Sequence, residues 1–356
     1  MNLTSARSPR HLLAKAGCVL AGTALVATLS AAPALAVGEG PNYNGHETVN
    51  TANLHTYDSM VQELKTQDAR QNALELEVIG QSVKGRDLYL AKYLSDPANP
   101  TILFLTQQHG NEQLTTEGAI EVIKHLGTGR MADVLDDINI LVLPMLNPDG
   151  AMGDVDFPLD DYIASGDRHL TRHNANNVDI NRDHVAKTQP EIQALHQNVL
   201  SVYDIDYMID LHHQGTQSRV DGKLVSGSIL HPTTPDVDPA VLEGSKRLGA
   251  VVYASVDSTG WGHLGKYVGG TANTIARNGI AAEYDISTLL FEMRGMSDHE
   301  NPDALLGQKS NGYLRQQTIL TLESTIRAVA SGEVETADTS IWDSLPEQAW
   351  EPRGDE

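Results

Sequence analysis

The chain of 356 residues carries 47 acidic and 25 basic side chains, and its formal net charge of −22 creates a surface that repels nucleic acid and anionic lipid. Cys18 is the only cysteine, which excludes an intramolecular disulfide framework. The length is sufficient for one large domain with a substantial hydrophobic core.

The N-terminus has the composition of an export signal. Three basic residues precede an uncharged stretch at 16–36, which ends in the small-x-small sequence Ala34-Leu35-Ala36. An uncleaved membrane anchor is the alternative, because the stretch is long enough to span a bilayer, but Pro33 favours cleavage after Ala36. We expect residues 1–36 to be a signal peptide. After its cleavage we expect the protein to be secreted or periplasmic and to have no membrane partner. Cys18 lies inside that signal, so the mature protein would have neither a cysteine nucleophile nor a thiolate-bound metal.

The next part of the chain alternates between helical and extended patterns. Apolar residues at 57–73 have helical spacing, and 74–94 alternates like two strands of a hairpin. Short apolar runs at 101–106 and 138–145 predict buried strands, with a helix at 116–126 between them. Strands that alternate with helices indicate an α/β sheet covered on both faces.

The rest of the chain extends this pattern. Strands are predicted at 207–211 and 288–293, and a closing helix at 311–330. We therefore predict a single α/β domain over residues 37–330, with a mixed, mostly parallel twisted sheet of about eight strands flanked by helices. The segments 147–178 and 215–270 are expected to be long irregular binding loops.

Residues 331–356 form an acidic C-terminal tail that is rich in Ser, Glu, Asp and Thr. Two tryptophans, Trp342 and Trp350, lie among its acidic residues. They either hold the tail against the body of the protein or end a loosely ordered extension, and the sequence leaves both alternatives open.

A possible metal site follows the strand at 101–106. His109 and Glu112 are three residues apart and can bind one ion together, although such a pair is common by chance. Catalytic zinc sites use three protein ligands and leave a fourth position open. His212 lies at the end of another buried strand, where its imidazole can point inward and supply the third ligand.

Two further features indicate hydrolytic chemistry on an anionic substrate. The segment 172–183 holds two arginines in an otherwise acidic protein, and the planar guanidinium suits a carboxylate. Glu292 lies within a strongly apolar strand, where burial raises the pKa of a carboxylate and suits it to general base catalysis. A structural ion pair between Glu292 and Arg294 is the alternative.

Together these motifs resemble the zinc metallocarboxypeptidases of peptidase family M14. The resemblance extends from about residue 57 to 330 and depends on motifs in a fixed order: His109-x-x-Glu112, Asn147-Pro148-Asp149-Gly150, Arg172-x-Asn174, Val178-Asp179-Ile180-Asn181-Arg182, His212 and Phe291-Glu292. His213-Gln214-Gly215 differs from the residues of the digestive enzymes at this point, which indicates a divergent bacterial-type secreted member.

The resemblance implies a zinc carboxypeptidase fold with one Zn²⁺ per chain. His109, Glu112 and His212 correspond to the zinc ligands, and Asp179 corresponds to the carboxylate that orients the first imidazole. Glu292 corresponds to the general base that also returns the proton to the leaving amine.

The remaining implied roles concern the substrate. Arg172, with Arg168 as the nearby alternative, corresponds to the residue that stabilises the oxyanion. Asn181 and Arg182 correspond to the pair that binds the terminal carboxylate. Tyr267 is the nearest counterpart of the mobile tyrosine. Ala272, which is followed by Asn273, falls at the side-chain pocket, and the absence of charge there predicts neutral or apolar terminal residues.

We therefore expect an exported, monomeric zinc carboxypeptidase that acts on peptides with a free C-terminal carboxylate. An amidase of cell-wall peptides and a deacylase of N-acyl amino acids are rivals within the same fold, because the same residues hydrolyse any amide with a nearby carboxylate. A non-catalytic binding protein is less consistent with the sequence, because all three candidate ligands and the candidate base Glu292 are present.

Overall fold

The computed structural model describes residues 54–154, 172–215, 218–295 and 308–350. The predicted signal peptide lies outside these residues. Within them, the strands are β1 (Glu75–Gln81), β2 (Asp87–Tyr93), β3 (Thr101–Thr106), β4 (Asn139–Leu143), β5 (Tyr207–Gln214), β6 (Ser218–Val220), β7 (Lys223–Leu224), β8 (Gly227–Leu230), β9 (Leu264–Lys266), β10 (Ser287–Arg294) and β11 (Ala349–Trp350).

The helices of the described residues differ widely in length. They are α1 (Tyr57–Asp68), α2 (Gln113–Leu126), α3 (Pro148–Met152), α4 (Pro190–Leu195), α5 (Pro239–Asp257), α6 (Ala276–Tyr284), α7 (Gln308–Ala330) and α8 (Ile341–Ser344). A π-helical turn, His196–Leu200, extends α4, and single 3₁₀ turns form at Ala132–Val134, Ile180–Arg182 and Glu333–Thr336. In this described part of the chain, no helix is long and apolar enough to span a bilayer.

Eight of the strands form one mixed sheet in the order β1-β2-β4-β3-β5-β10-β8-β9. The central strands β4, β3, β5 and β10 are parallel, whereas β1 and β2 form an antiparallel hairpin at one edge. β8 runs antiparallel to β10 on the other side. The predicted fold class is thus confirmed, and three short strands form a second sheet in the order β11-β6-β7.

The central strands are buried on both faces because successive side chains enter different cores. On β3, Phe104 belongs to a core shared with α2, α5 and α7, whereas Leu103 and Leu105 belong to a core shared with α4 and α6. Every residue of β3 and β4 is buried. This explains the continuous apolar runs in the sequence, which are typical of parallel strands covered by helices.

The prediction of an irregular segment at 215–270 is wrong. This segment holds β6 to β9 and α5, a helix of 19 residues. Small residues on α5 weakened the sequence pattern but allow close packing: a Cβ at Gly249 would lie 2.3 Å from Cζ2 of Trp342, and one at Gly244 would lie 2.3 Å from Oγ of Ser287.

The described part of the acidic tail contacts the body of the protein. Nε1 of Trp342 donates a hydrogen bond to the carbonyl oxygen of Lys246 at 2.9 Å, and its ring lies edge-on to His231. The backbone of β11 pairs with β6, with Ala349 opposite Arg219. Of the two alternatives for Trp342, the structure therefore favours attachment to the body.

A chain of buried polar side chains leads from α6 towards the centre of the sheet. The hydroxyl of Tyr284 lies 2.9 Å from Nδ1 of His196, and Nε2 of His196 lies 3.1 Å from Nδ1 of His184. Nε2 of His184 lies 2.8 Å from Oε1 of Gln108, whose amide donates to Asp210 at 2.7 Å. With both imidazoles neutral, one tautomer satisfies the whole chain, in which each Nε2 donates and each Nδ1 accepts.

Burial keeps these two histidines neutral. It lowers the pKa of His184 to about 3 and that of His196 to about 4. In the unfolded chain both would bind a proton near their ordinary pKa of about 6.5. Their contribution to stability is therefore complete above about pH 6.5 and is lost as the pH falls towards 4.

We predict that His196→Gln weakens the acid dependence of stability. Between pH 7 and pH 5 the wild-type protein should lose about 2 kcal/mol more unfolding free energy than the variant, because the unfolded variant binds one proton fewer. Urea unfolding at several pH values measures this difference. Tyr284→Phe keeps both imidazoles and should retain the wild-type pH dependence. Equal pH dependence in the wild type and His196→Gln would contradict the assignment.

Candidate metal centre and active site

The candidate site lies at the carboxyl ends of the parallel strands, where open α/β sheets place ligands. The loop after β3 carries His109 and Glu112, β5 carries His212, and β10 carries Glu292. In the parallel pairing of β5 and β10, Glu292 lies opposite His212. Residues that are far apart in the chain therefore meet at one edge of the sheet.

The side chains of His109, Glu112 and His212 converge. Nδ1 of His109 lies 2.8 Å from Oε1 of Glu112, and Nδ1 of His212 lies 2.8 Å from Oε2 of Glu112. The two Nδ1 atoms are 3.0 Å apart. All three residues are buried, and one possible ligand atom from each lies within 4.8 Å of the others.

A carboxylate orients the outer nitrogen of each imidazole. Asp179 Oδ1 lies 3.1 Å from Nε2 of His109, and Asp210 Oδ1 lies 3.0 Å from Nε2 of His212. When both Nε2 atoms donate to these carboxylates, both Nδ1 lone pairs face the carboxylate of Glu112. Two lone pairs and an anion repel one another unless a cation lies between them. Two imidazoles and a carboxylate are ligands that zinc accepts, so the residues fit a zinc ion.

The electrostatics of the site agree with a bound cation. Burial opposes ionisation of Glu112, but His109 and His212 outweigh it and hold the pKa of Glu112 well below its usual range. Burial likewise opposes charge on His212, yet Asp210 and Glu112 hold the pKa of His212 well above its usual range. Positive charge is thus strongly favoured at this point of the interior.

Asp210 was not assigned a role from the sequence. It precedes His212 by two residues on β5, and residues two apart on a strand face the same side of the sheet. That spacing is the signal that identifies Asp210 as a partner of the imidazole. Gln108, which binds Asp210 and ends the polar chain from Tyr284, has no comparable signal in the sequence.

Glu292 is buried beside this group. Burial raises the pKa of Glu292 to about 8, and its Oε2 atom has no hydrogen-bond partner among the residues that the structure describes. A carboxylate with a raised pKa and a free oxygen can exchange a proton with a reacting group.

Arg172 also reaches the site. Its Nη2 donates to Oδ2 of Asp179 at 3.1 Å, and its Nη1 lies 3.5 Å from Oε1 of Glu112. Burial opposes the charge of Arg172, but Asp179, Glu112 and Glu292 raise its pKa. The guanidinium of Arg172 therefore lies close to the candidate ligand Glu112 and to the candidate base Glu292. Arg168, the alternative from the sequence, lies outside the described residues.

The structure separates the environments of Asn181 and Arg182. Asn181 is buried, its Nδ2 lies 3.2 Å from Nε2 of His212, and its Oδ1 accepts a hydrogen bond from the amide of Ala276 at 2.8 Å. Arg182 is exposed, and its Nη1 donates to the carbonyl oxygen of Asn181 at 2.9 Å. Arg182 thus carries an accessible charge at the rim of the site.

The two remaining predicted residues lie in and near the loop after β9. The carboxylate of Glu292, together with burial, raises the pKa of Tyr267, which indicates that the phenol lies near the site. Ala272 is exposed, and its carbonyl oxygen accepts a hydrogen bond from Nδ2 of Asn278 at 3.1 Å. Nδ2 of Asn273 donates to Asp236 at 2.6 Å.

Asn147-Pro148-Asp149-Gly150 supports the site instead of forming an ordinary turn. Nδ2 of Asn147 donates to the carbonyl oxygens of Gln108 and Arg172, each at 3.1 Å, and its Oδ1 accepts from the amide of Gly150. A Cβ at Gly150 would lie 2.4 Å from the carbonyl oxygen of His173, which explains the glycine. The motif holds the loop of His109 against the segment of Arg172.

Comparison with known proteins places these residues in a family. The zinc carboxypeptidase family model matches residues 57–219, which include His109, Glu112, Arg172, Asp179, Asn181, Arg182 and His212 but not Tyr267, Ala272 or Glu292. A zinc carboxypeptidase from Saccharothrix mutabilis subsp. capreolus is 32% identical over 111 residues, which cover 28% of this chain and 26% of that protein. The carboxypeptidase N catalytic chain of Homo sapiens is 30% identical over 145 residues, which cover 36% of this chain and 30% of that protein.

Solved structures share the fold at lower sequence identity. A metallo-carboxypeptidase from Pseudomonas aeruginosa in complex with (2-guanidinoethylmercapto)succinic acid has a TM-score of 0.58 and 20% identity, and the alignment covers 79% of this chain and 70% of that one. A metallo-carboxypeptidase from Burkholderia cenocepacia has a TM-score of 0.58 and 16% identity, with coverage of 77% and 70%. By these matches and the motifs that they contain, residues 57–219 are similar to the zinc carboxypeptidase domain of peptidase family M14, and the chain shares the fold of solved metallo-carboxypeptidases.

Proposed function

We propose that the protein is an exported zinc-dependent carboxypeptidase that hydrolyses the C-terminal peptide bond of peptides. The observation that carries this proposal is the convergence of His109, Glu112 and His212 next to the buried Glu292, whose Oε2 has no hydrogen-bond partner among the described residues. The family match supports the same activity, although the aligned parts span less than a third of the curated relatives' length.

The residues of the chain divide the reaction among them. Bound zinc would supply a Lewis acid that acidifies water and polarises the scissile carbonyl. Glu292 accepts a proton from the attacking water and donates it to the leaving amine. Arg172 stabilises the negative charge that develops on the carbonyl oxygen. Asn181 and Arg182 bind the terminal carboxylate, and Tyr267 covers the substrate.

The preference for neutral or apolar terminal residues was predicted from Ala272 and Asn273. In the structure Ala272 is exposed, and its described contact is a carbonyl hydrogen bond with Asn278. These contacts give the prediction little support. Export is proposed from residues 1–36 alone.

We predict that the purified protein contains one zinc ion per chain and that a chelator abolishes hydrolysis of N-blocked dipeptides. Added zinc should restore activity, because the three ligands fit a catalytic zinc site. Metal analysis and dipeptide hydrolysis measure both effects. His212→Gln should lower zinc content, whereas His125→Gln, outside the site, should not. Absence of zinc would contradict the metal site, and cleavage of only acyl amino acids or cell-wall peptides would favour the alternative hydrolases.

Glu292→Gln should lower kcat by about 100- to 10,000-fold while the zinc content stays unchanged, because the amide cannot accept the proton. Steady-state kinetics and metal analysis test this expectation. Glu323→Gln alters another buried glutamate, which pairs with Arg130 at 2.6 Å, and should leave kcat near the wild-type value. Full activity in Glu292→Gln would exclude Glu292 as the base.

Arg172→Ala should reduce kcat by about 100- to 1000-fold and leave zinc bound, because it removes one donor to the developing oxyanion. Asp179 would still orient His109. Arg327→Ala removes an arginine that pairs with Asp133 away from the site and serves as the charge control. Near-normal turnover in Arg172→Ala would remove Arg172 from the proposed mechanism.

A further inference from the structure

Arg277 is a buried cation at the edge of the proposed active site. It is the second residue of α6, and it is 1% exposed. The amide of the preceding residue, Ala276, donates to Oδ1 of Asn181, so the start of α6 is attached to the segment that carries Asn181 and Arg182. An arginine in the first turn of a helix has no distinctive pattern, so nothing in the sequence distinguishes Arg277.

The hydrogen bonds of Arg277 do not neutralise its charge. Its Nη2 donates to the carbonyl oxygen of Gly270 at 2.6 Å and to the hydroxyl of Thr233 at 3.2 Å, and both acceptors are neutral. Nε has no hydrogen-bond partner, and no carboxylate forms an ion pair with Arg277 within the four described ranges of the chain. The guanidinium is therefore partly unsatisfied in the interior.

Two other arginines that lie partly in the interior are paired with carboxylates. Arg172 contacts Asp179 and Glu112, and Arg86 contacts Asp149 at 2.6 Å. A buried charge without a partner is costly, and a guanidinium does not lose its proton to avoid that cost. An anion that enters from outside would remove the penalty at Arg277.

The neighbours of Arg277 belong to the proposed substrate site. Burial lowers the pKa of Arg277, whereas Tyr267, Asp210 and Glu292 raise it, and Arg182 lowers it. The geometry agrees with this: Arg277 directly follows Ala276, which is hydrogen-bonded to Asn181, and Nδ2 of Asn181 lies 3.2 Å from Nε2 of His212. The guanidinium also borders the loop of Tyr267, because a Cβ at Gly269 would lie 3.1 Å from Nη2.

We propose that Arg277 binds a side-chain carboxylate on the C-terminal residue of the substrate, while Arg182 binds the α-carboxylate. This inference rests on the proposed carboxypeptidase function. It implies that the substrates are peptides that end in an acidic residue, whose second carboxylate matches the second cation. In a protein with a net charge of −22, two local cations are needed to attract such a substrate.

Arg277 has a structural role as well, because it holds the loop at Gly270. That role alone would affect all substrates equally. Recognition of a carboxylate instead distinguishes a substrate that ends in glutamate from its neutral isostere that ends in glutamine. The ratio of kcat/KM for these two substrates is therefore the informative measurement.

The test uses the zinc-loaded full chain and N-blocked dipeptides that end in Glu, Gln or Leu. The wild-type protein should cleave the Glu substrate about 10- to 100-fold more efficiently than the Gln substrate, as expected for a charge-assisted hydrogen bond. Arg277→Met should bring this ratio close to one, and Arg277→Lys should retain part of it. Arg247→Met removes a surface charge on α5 and should leave the ratio unchanged.

A wild-type ratio near one would overturn the inference without any variant, so the test does not depend on the folding of Arg277→Met. An equal loss on all three substrates in Arg277→Met, with an unchanged ratio, would assign Arg277 to the α-carboxylate or to the loop, and would also overturn it. If no blocked dipeptide is cleaved, the proposed function itself fails, and the inference fails with it. Cleavage of Leu and Gln substrates in preference to Glu preserves the function and rejects the inference alone.

Discussion

The orientation of two buried imidazoles is the constraint on which the rest of the site depends. If Nε2 of His109 or His212 did not donate to a carboxylate, an N–H group could point at the position of the metal and exclude it. Asp179 and Asp210 prevent this, at 3.1 and 3.0 Å. Each carboxylate is itself held: Arg172 contacts Asp179, and Gln108 donates to Asp210 and accepts from the neutral His184. The polar interior is thus organised outward from the two imidazoles.

The parallel strands supply the positions that this orientation requires. β3, β5 and β10 are neighbours in the sheet although they are separated by long stretches of sequence. Their carboxyl ends therefore meet, and the register places Glu292 opposite His212. Helices on both faces exclude water from the strands, and the same burial that stabilises the sheet raises the pKa of Glu292 to about 8. Burial of the strands thus accounts both for the stability of the sheet and for the raised pKa of Glu292.

Burial and pairing separate the roles of the three arginines near the site. Arg172 is paired with Asp179 and Glu112, which fixes its guanidinium beside the candidate ligands. Arg182 is exposed and accessible to a substrate from solvent. Arg277 is buried, and the described residues provide it with neutral acceptors only. Residue type alone would give all three the same role, whereas their surroundings suggest oxyanion stabilisation, recognition of the terminal carboxylate and selection of the side chain.

The sequence by itself determined the α/β class, most of the sheet and the identity of the candidate ligands. Continuous apolar runs such as Ile102 to Leu105 identify parallel strands, and His109, Glu112 and His212 follow such runs directly. Only the tertiary structure decided what depends on contacts between distant segments. Asp210 and Gln108 gained a role from their distances to His212 and His184, and α5 was missed because its small residues matter only against Trp342 and Ser287. Arg277 resembles any helical arginine in sequence, because its burial, and the lack of a carboxylate partner among the described residues, exist only in the folded chain.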